Sequence, residues 1–215
     1  MHKIHRVILY FSLFCLVLNI YNIFVFKTLY PSYLSWNLLL AFIPYLIAIY
    51  LAQTIKRKGK TWKWTRGLLV FLWLIFFPNC IYLITDFVHL YQQTYLPVWF
   101  DIAEIFSFTF IGFLLGFLSL YKIEKIITKK FNSKYSIAFI ITSIFLADIG
   151  VYMGRNLRWN SWDLFVHPWQ IITNVIYNLA NLSNFLNFIS MVLVFSSMFI
   201  GIYFSLRALL QARER

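Results

Sequence analysis

The stretch that decides the fold is Val98–Tyr121, VWFDIAEIFSFTFIGFLLGFLSLY, whose two acidic residues stand near its start. This run of 24 residues is mostly apolar, and about 20 helical residues cross the hydrocarbon core of a bilayer. A surface helix of a soluble protein would carry a polar face along its length, which this segment lacks. It is therefore predicted to span a membrane, and Gly112 and Gly116 within it predict close packing against a neighbouring helix.

The rest of the chain has the same character. It is 61% hydrophobic and 12% charged, whereas a soluble domain is about half apolar and a quarter charged. No repeat or linker interrupts it, so residues 1–215 are predicted to form one integral membrane domain. The first apolar run is expected to be retained, because no small-residue cleavage site follows it. The predicted spans are Val7–Phe26, Trp36–Gln53, Arg66–Leu90, Val98–Tyr121, Tyr135–Tyr152 and Asn184–Leu206.

Lys and Arg residues are distributed unevenly between alternate loops. If the N-terminus is cytoplasmic, 16 of the 19 fall in cytoplasmic segments, and the other side holds only Lys27, Arg155 and Arg158. The positive-inside rule therefore predicts that both termini are cytoplasmic. This topology accounts for the net charge of +12. Nucleic-acid binding is excluded, because no basic face with interleaved aromatics stands outside the apolar runs.

Polar side chains follow one face of the third predicted span toward its outer end. Asn79, Tyr82, Asp86 and His89 are spaced three, four and three apart, which is the periodicity of one α-helical face. Pro78 is expected to kink the helix below them. The stripe is either a packing surface between helices or part of a site. In the second interpretation Asp86 and His89 are candidate catalytic residues, and Asn79 and Tyr82 are candidate substrate-binding residues.

Two acidic residues open the fourth predicted span. Asp101 and Glu104 lie three apart near a helix start, where the helix dipole favours negative charge, and this alone is one explanation for them. The other is that they bind a hard metal ion or relay protons. With Asp86, His89 and His167 they form a candidate carboxylate and imidazole site for a divalent metal such as zinc, manganese or magnesium.

Asp148 lies near the outer end of the fifth predicted span, where a charged group is a functional candidate by default. A structural ion pair with Arg155 or Arg158 is the alternative explanation. In the functional interpretation Asp148 is catalytic, and the two arginines present planar donors to an anionic head group. Asn160 and Trp162 are further candidate substrate-binding residues.

The segment from 164 to 182 mixes large apolar residues with asparagines at helical spacing, namely Asn174, Asn178 and Asn181. This pattern predicts an amphipathic helix at the outer interface, or a lid that dips into it. The expected fold class is therefore an all-α polytopic membrane helix bundle with about six transmembrane helices, one outer amphipathic helix and both termini inside.

Three motifs give the chain a resemblance to a known family. They are Phe77-Pro78-Asn79 with Tyr82, Thr85-Asp86 and His89-Leu90; Trp99-Phe100-Asp101; and Gly154-Arg155 with Arg158-Trp159-Asn160-Ser161-Trp162-Asp163. From about the second span onward the chain resembles domain-of-unknown-function family 1361. Cys80-Ile81 stand where that family's pattern has a small residue and a second proline. The resemblance implies a multi-pass protein of the bacterial plasma membrane and no particular activity.

Three hypotheses about function follow. The first is a metal-assisted enzyme that acts on a lipid or cell-envelope substrate at the outer leaflet. The second is a transporter or proton-coupled carrier with Asp148 and Asp86 as relay carboxylates, although neither a continuous polar path nor repeat symmetry is visible. The third is a binding or assembly protein without catalytic activity. Membrane lipid is the expected partner in each case, and the sequence does not indicate an oligomeric state.

Overall fold

A computed structural model of the protein describes residues 2–27, 29, 31–55, 57, 59–91 and 97–212. Four basic residues that contribute to the predicted charge asymmetry, Lys56, Lys58, Arg213 and Arg215, lie outside these ranges. The described residues contain no β-strand. Their helices are α1 (His2–Phe26), α2 (Ser32–Thr54), α3 (Lys60–Phe76), α4 (Pro78–Tyr82), a 3₁₀ helix (Leu83–Tyr91), α5 (Val98–Lys130), α6 (Ser133–Asn156), α7 (Asp163–Val166), α8 (Pro168–Ala180) and α9 (Leu182–Ala212).

The described part of the chain contains six helical segments that are long and apolar enough to cross a membrane, which confirms the six predicted spans. The second segment continues through Pro44 as one helix, Ser32–Thr54. α5 is longer than predicted and ends at Lys130, so Lys122, Lys125 and Lys129 lie on a helix rather than in a loop. The cytoplasmic orientation of both termini stays a prediction.

The third span is not the continuous α-helix that its polar periodicity predicted. An interruption of the helix coincides with Pro78, because α3 ends at Phe76 and α4 begins at Pro78, and the kink expected there stays a prediction. At Leu83, however, the α-helix becomes a nine-residue 3₁₀ helix, although such runs rarely exceed three or four residues. Side-chain hydroxyls bond carbonyls at this transition: Thr85 donates to the Tyr82 carbonyl at 2.6 Å and Thr109 donates to the Leu83 carbonyl at 3.0 Å.

The contacts divide the chain into two compact units, Met1–Ser119 and Leu120–Arg215, and the boundary falls within α5. Unit 2 is built on α6 and α9, which pack against each other, and α8 packs against α9. Ile140, Ile144 and Phe199 are fully buried there. Unit 1 has its own apolar core, which consists of Ile8, Cys15, Leu34, Leu38, Ala41, Tyr45, Cys80, Leu83, Ile105, Phe108, Ile111 and Leu115.

Two glycines allow α4 and the 3₁₀ helix to approach α5 within unit 1. A Cβ atom added to Gly116 would lie 2.7 Å from the Cβ atom of Cys80, and one added to Gly112 would lie 3.0 Å from the Cys80 carbonyl oxygen. Cys80 is fully buried, and its thiol donates to the Ala41 carbonyl at 3.3 Å. Because the backbone of α4 would have to move to make room, the predicted close packing at this glycine pair is confirmed.

We expect Gly116→Ala to lower the free energy of unfolding by about 1–3 kcal/mol, because the added methyl group overpacks a filled core. The matched control is Gly67→Ala in α3, where an added Cβ would meet nothing within 4 Å. That substitution is expected to raise the free energy by about 0.5–1 kcal/mol through helix propensity alone. Reversible unfolding in mixed detergent measures both, and equal effects of the two substitutions would contradict the packing argument.

Candidate functional site

The polar side chains of unit 1 gather where α1 ends and α5 begins. Glu104 is 2% exposed, and its carboxylate accepts hydrogen bonds from the side-chain amides of Asn19, at 2.8 Å, and Asn22. The Asn19 amide also donates to the Pro31 carbonyl at 2.9 Å, and its oxygen accepts from the Ser35 hydroxyl at 2.8 Å. One carboxylate of α5 is thereby connected to α1 and to the start of α2.

Two acceptors beside Glu104 have no hydrogen-bond donor among the described residues. Asp101 lies three residues before Glu104, is 7% exposed and makes no hydrogen bond or ion pair within the described part of the chain. The side-chain oxygen of Asn22 is buried and likewise without a partner there. A favourable interaction with the helix dipole can explain Asp101 in the first turn of α5. It does not explain Glu104, whose carboxylate accepts hydrogen bonds from amides of another helix.

Asp86 and His89 belong to the 3₁₀ helix of unit 1. Residues three apart are eclipsed in a 3₁₀ helix, so these two share one face, about 6 Å apart along the axis. Asp86 is 1% exposed and accepts a hydrogen bond from the Asn37 amide at 3.1 Å. The half-buried His89 ring lies 4.9 Å from the ring of Tyr33, measured between centroids. Both candidate catalytic residues are therefore held by side chains of α2.

Asn79 and Tyr82 belong to α4 and not to the 3₁₀ helix, so the single face predicted for all four residues is interrupted at Leu83. The Asn79 amide donates to the Phe76 carbonyl at 2.9 Å, across the break at Pro78. Both side chains are half-buried. Their assignment to substrate binding stays a prediction.

Asp148 is buried in unit 2 and is held by a neutral donor. It is 1% exposed, and the Ser196 hydroxyl donates to its Oδ2 atom at 2.5 Å, while its Oδ1 atom has no partner among the described residues. The alternative explanation, an ion pair with Arg155 or Arg158, is not found within the described part of the chain. Asp148 therefore remains a carboxylate without a cation in a membrane span.

The two arginines do not continue one helical face. Arg155 lies in the last turn of α6, which ends at Asn156, whereas Arg158 follows the helix with a positive φ of 59°. Few residues other than glycine adopt this backbone conformation, which terminates many helices. Asn160 then bonds Asp163 twice, through its backbone N–H at 2.7 Å and its amide at 3.2 Å, just before α7.

The amphipathic segment predicted over 164–182 is divided at Pro168 into the short α7 and the longer α8. His167, the predicted metal ligand, is exposed at this division, and Trp162 directly precedes α7. Asn178 of α8 accepts a hydrogen bond from the Tyr152 hydroxyl at 3.1 Å. The opposite apolar stripe of α8 is exposed, as expected for a helix at a membrane interface; it consists of Trp169, Ile172 and Ile176.

The predicted metal site gains no support from these positions. No group of three or more His, Cys, Asp or Glu side chains within the described ranges could hold a metal ion. In unit 1 the nearest ligand candidates already accept hydrogen bonds, Glu104 from two amides and Asp86 from one. Metal binding by Asp86, His89, Asp101, Glu104 and His167 thus stays a prediction.

One buried charge network in unit 2 was not predicted from the sequence. Glu124 on α5 forms an ion pair with Arg207 of α9 at 2.7 Å and accepts a hydrogen bond from the Tyr203 hydroxyl. Asn19 and Asn22 were likewise not predicted as partners of Glu104. The available signal was their three-residue spacing within an otherwise apolar span, because amides in lipid need partners on other helices.

We expect Glu104→Ala to destabilise the protein by about 2–4 kcal/mol, because it removes one acceptor from each of two buried amides. Glu104→Gln retains one acceptor oxygen and is expected to cost less. The control is Ser107→Ala, which removes an exposed hydroxyl that bonds only the Ala103 carbonyl of its own helix. Detergent-induced unfolding compares the three, and a Glu104→Ala protein as stable as the control would show that the cluster does not hold α1 against α5.

Comparison with known proteins places the chain in a family. No curated protein and no solved structure matches it. One family model, described as "Protein of unknown function (DUF1361)", matches residues 36–206 and so includes every site residue predicted from the sequence, whereas the asparagines of α1 and Tyr33 and Ser35 of α2 lie before it. The matched range contains three of the six candidate membrane spans in full and most of two others. This chain therefore belongs to the DUF1361 family and is a multi-pass membrane protein of that family.

Proposed function

We propose that the protein is an enzyme of the bacterial plasma membrane that performs acid–base chemistry on a lipid or cell-envelope substrate, with His89 as its proton-transferring group and Asp86 as the carboxylate that stabilises the protonated imidazole. The observation that carries the proposal is the nine-residue 3₁₀ helix Leu83–Tyr91. A 3₁₀ stretch within a helix often marks a functional hinge or a strained sequence. Here the segment brings a carboxylate and an imidazole to one face.

The two residues are suited to different roles. His89 is half-buried, and histidine is the side chain that most often moves protons in catalysis near neutral pH. Asp86 is buried and accepts a hydrogen bond from the Asn37 amide, so its negative charge, about 6 Å from His89 along the helix axis, is suited to stabilise the protonated imidazole. The positive-inside rule puts this end of unit 1 at the extracytoplasmic face, where envelope lipids are accessible.

The experiment uses the full chain in lipid nanodiscs, incubated with a total lipid extract of a bacterial envelope, and detects products by mass spectrometry. His89→Gln and Asp86→Asn are each expected to reduce product formation, His89→Gln by about 10²–10⁴-fold, the usual contribution of a general acid or base. The matched histidine control is His5→Gln, since His5 bonds the Tyr45 hydroxyl at 2.7 Å near the start of α1.

Two outcomes would contradict the acid–base proposal. One is a wild-type product that forms at the same rate in both variants. The other is the absence of any product in wild-type nanodiscs compared with empty ones across the lipid extract. Folding of each variant is checked by circular dichroism, so that a loss of structure is not mistaken for a loss of chemistry.

A proton-coupled carrier is the second candidate, and the observation that favours it is the environment of Asp148. A carboxylate inside a span, with one oxygen on Ser196 and the other unpartnered among the described residues, resembles the proton-binding carboxylates of pumps and transporters. Glu124 is a contrast within the same unit, because Arg207 already neutralises it.

We expect Asp148→Asn to abolish proton uptake if this second function operates. Protein reconstituted into liposomes with a trapped pH-sensitive dye is given an imposed pH gradient, and the rate of internal acidification is compared with that of Asp163→Asn. Asp163 bonds Asn160 outside the spans and serves as the matched control. Acidification that is equal in the wild type and Asp148→Asn would exclude Asp148 as the proton carrier.

A further inference from the structure

An apolar groove lies on the surface of unit 1 where α1 ends and α5 begins. Its volume is about 460 Å³, within the roughly 300–1,000 Å³ of typical ligand pockets. The Tyr21 and Phe100 rings approach each other in it, with centroids 5.7 Å apart, and Trp99 is 69% exposed beside them. The lining residues are Val17, Leu18, Tyr21, Pro97, Trp99 and Phe100. All but Pro97 lie within candidate membrane spans, so the groove opens toward lipid.

The same helical turns carry the carboxylate cluster. Tyr21 directly precedes Asn22, and Phe100 directly precedes Asp101, while Glu104 connects the two helices through its hydrogen bonds to α1. Along each helix the groove and the polar cluster are therefore one residue apart, although Asn22, Asp101 and Glu104 do not themselves line the groove. An amphiphile needs an apolar surface for its chain and charged groups for its head, and these helix ends carry both.

The cluster has no cation among the described residues, and two of its acceptors lack a hydrogen-bond donor there. Glu104 and Asp101 make no ion pair within the described residues, and the oxygen of Asn22 is buried there without a donor. Buried acceptors are normally satisfied, so an orphaned amide oxygen next to two carboxylates indicates a missing donor. A primary ammonium group supplies three N–H donors and a positive charge, whereas a quaternary ammonium supplies no donor at all.

We propose that this site binds a phospholipid whose head group carries a primary ammonium, with the ammonium at Asp101, Glu104 and Asn22 and an acyl chain in the groove. The lipid occupies the leaflet that the positive-inside rule predicts to be extracytoplasmic. The site goes beyond the proposed chemistry, because it binds lipid whether or not Asp86 and His89 act on it.

The experiment measures quenching of Trp99 fluorescence by phospholipids with brominated acyl chains. The protein is reconstituted with brominated phosphatidylethanolamine, phosphatidylcholine or phosphatidylglycerol at equal mole fractions in an otherwise unbrominated bilayer. The signal of Trp99 is the difference between the wild type and Trp99→Phe. Quenching titrations give the relative binding constant of each lipid at the groove.

Phosphatidylethanolamine is expected to bind at least about fivefold more tightly than phosphatidylcholine, because charge-assisted hydrogen bonds are available only to the primary ammonium. Equal quenching by all three lipids would overturn the proposal and leave the groove as ordinary lipid-exposed surface. Tightest binding of phosphatidylglycerol would also overturn it, since the carboxylates should repel an anionic head.

The carboxylates are tested separately with Asp101→Asn, which removes a charge but no described hydrogen bond. This variant is expected to lose most of the preference for phosphatidylethanolamine while binding phosphatidylcholine unchanged. A retained preference would overturn the assignment of the ammonium to this cluster. Because the wild-type comparison of three lipids needs no variant of the cluster, the proposal stays falsifiable even if Asp101→Asn fails to fold.

Discussion

A carboxylate inside a membrane has no water to solvate it, and the arrangement of unit 1 depends on how Glu104 meets this constraint. Two amides of α1 donate to it, and one of them also bonds the backbone and Ser35 at the start of α2. Helices in lipid gain little from the hydrophobic effect on association, so such polar contacts and close packing determine which helices meet. The glycines of α5 that contact Cys80 provide the close packing.

Three buried carboxylates are stabilised in three different ways. Glu124 is neutralised by Arg207, Glu104 is held by amides, and Asp148 has one hydroxyl donor. A buried ion pair is commonly structural, because its charges cancel and its partners fix each other. Carboxylates that lack a cation keep the capacity to take up a proton or a positively charged ligand. For this reason the carrier proposal rests on Asp148 and the lipid-binding proposal on the neighbourhood of Glu104, and neither rests on Glu124.

The sequence predicted what depends on length and composition. Six apolar runs were enough to predict six spans, and Pro78 and the pair Gly112 and Gly116 predicted a helix break and a close contact. The change to a 3₁₀ helix at Leu83 was not predictable, because it accompanies a hydrogen bond from Thr109 on another helix. Glu104 was identified from its spacing to Asp101. Its partners on α1 are more than 80 residues away in the chain, so a local sequence pattern could not predict them.

The junction of α5 and α6 has a consequence for how the protein enters the membrane. α5 ends at Lys130 and α6 begins at Ser133, with Asn132 capping α6 through a bond from the Tyr135 N–H at 3.1 Å. A loop of two residues leaves little freedom for the two helices to insert independently. The pair is therefore expected to insert together, and the positive-inside rule predicts that the lysines near the loop stay on the cytoplasmic side.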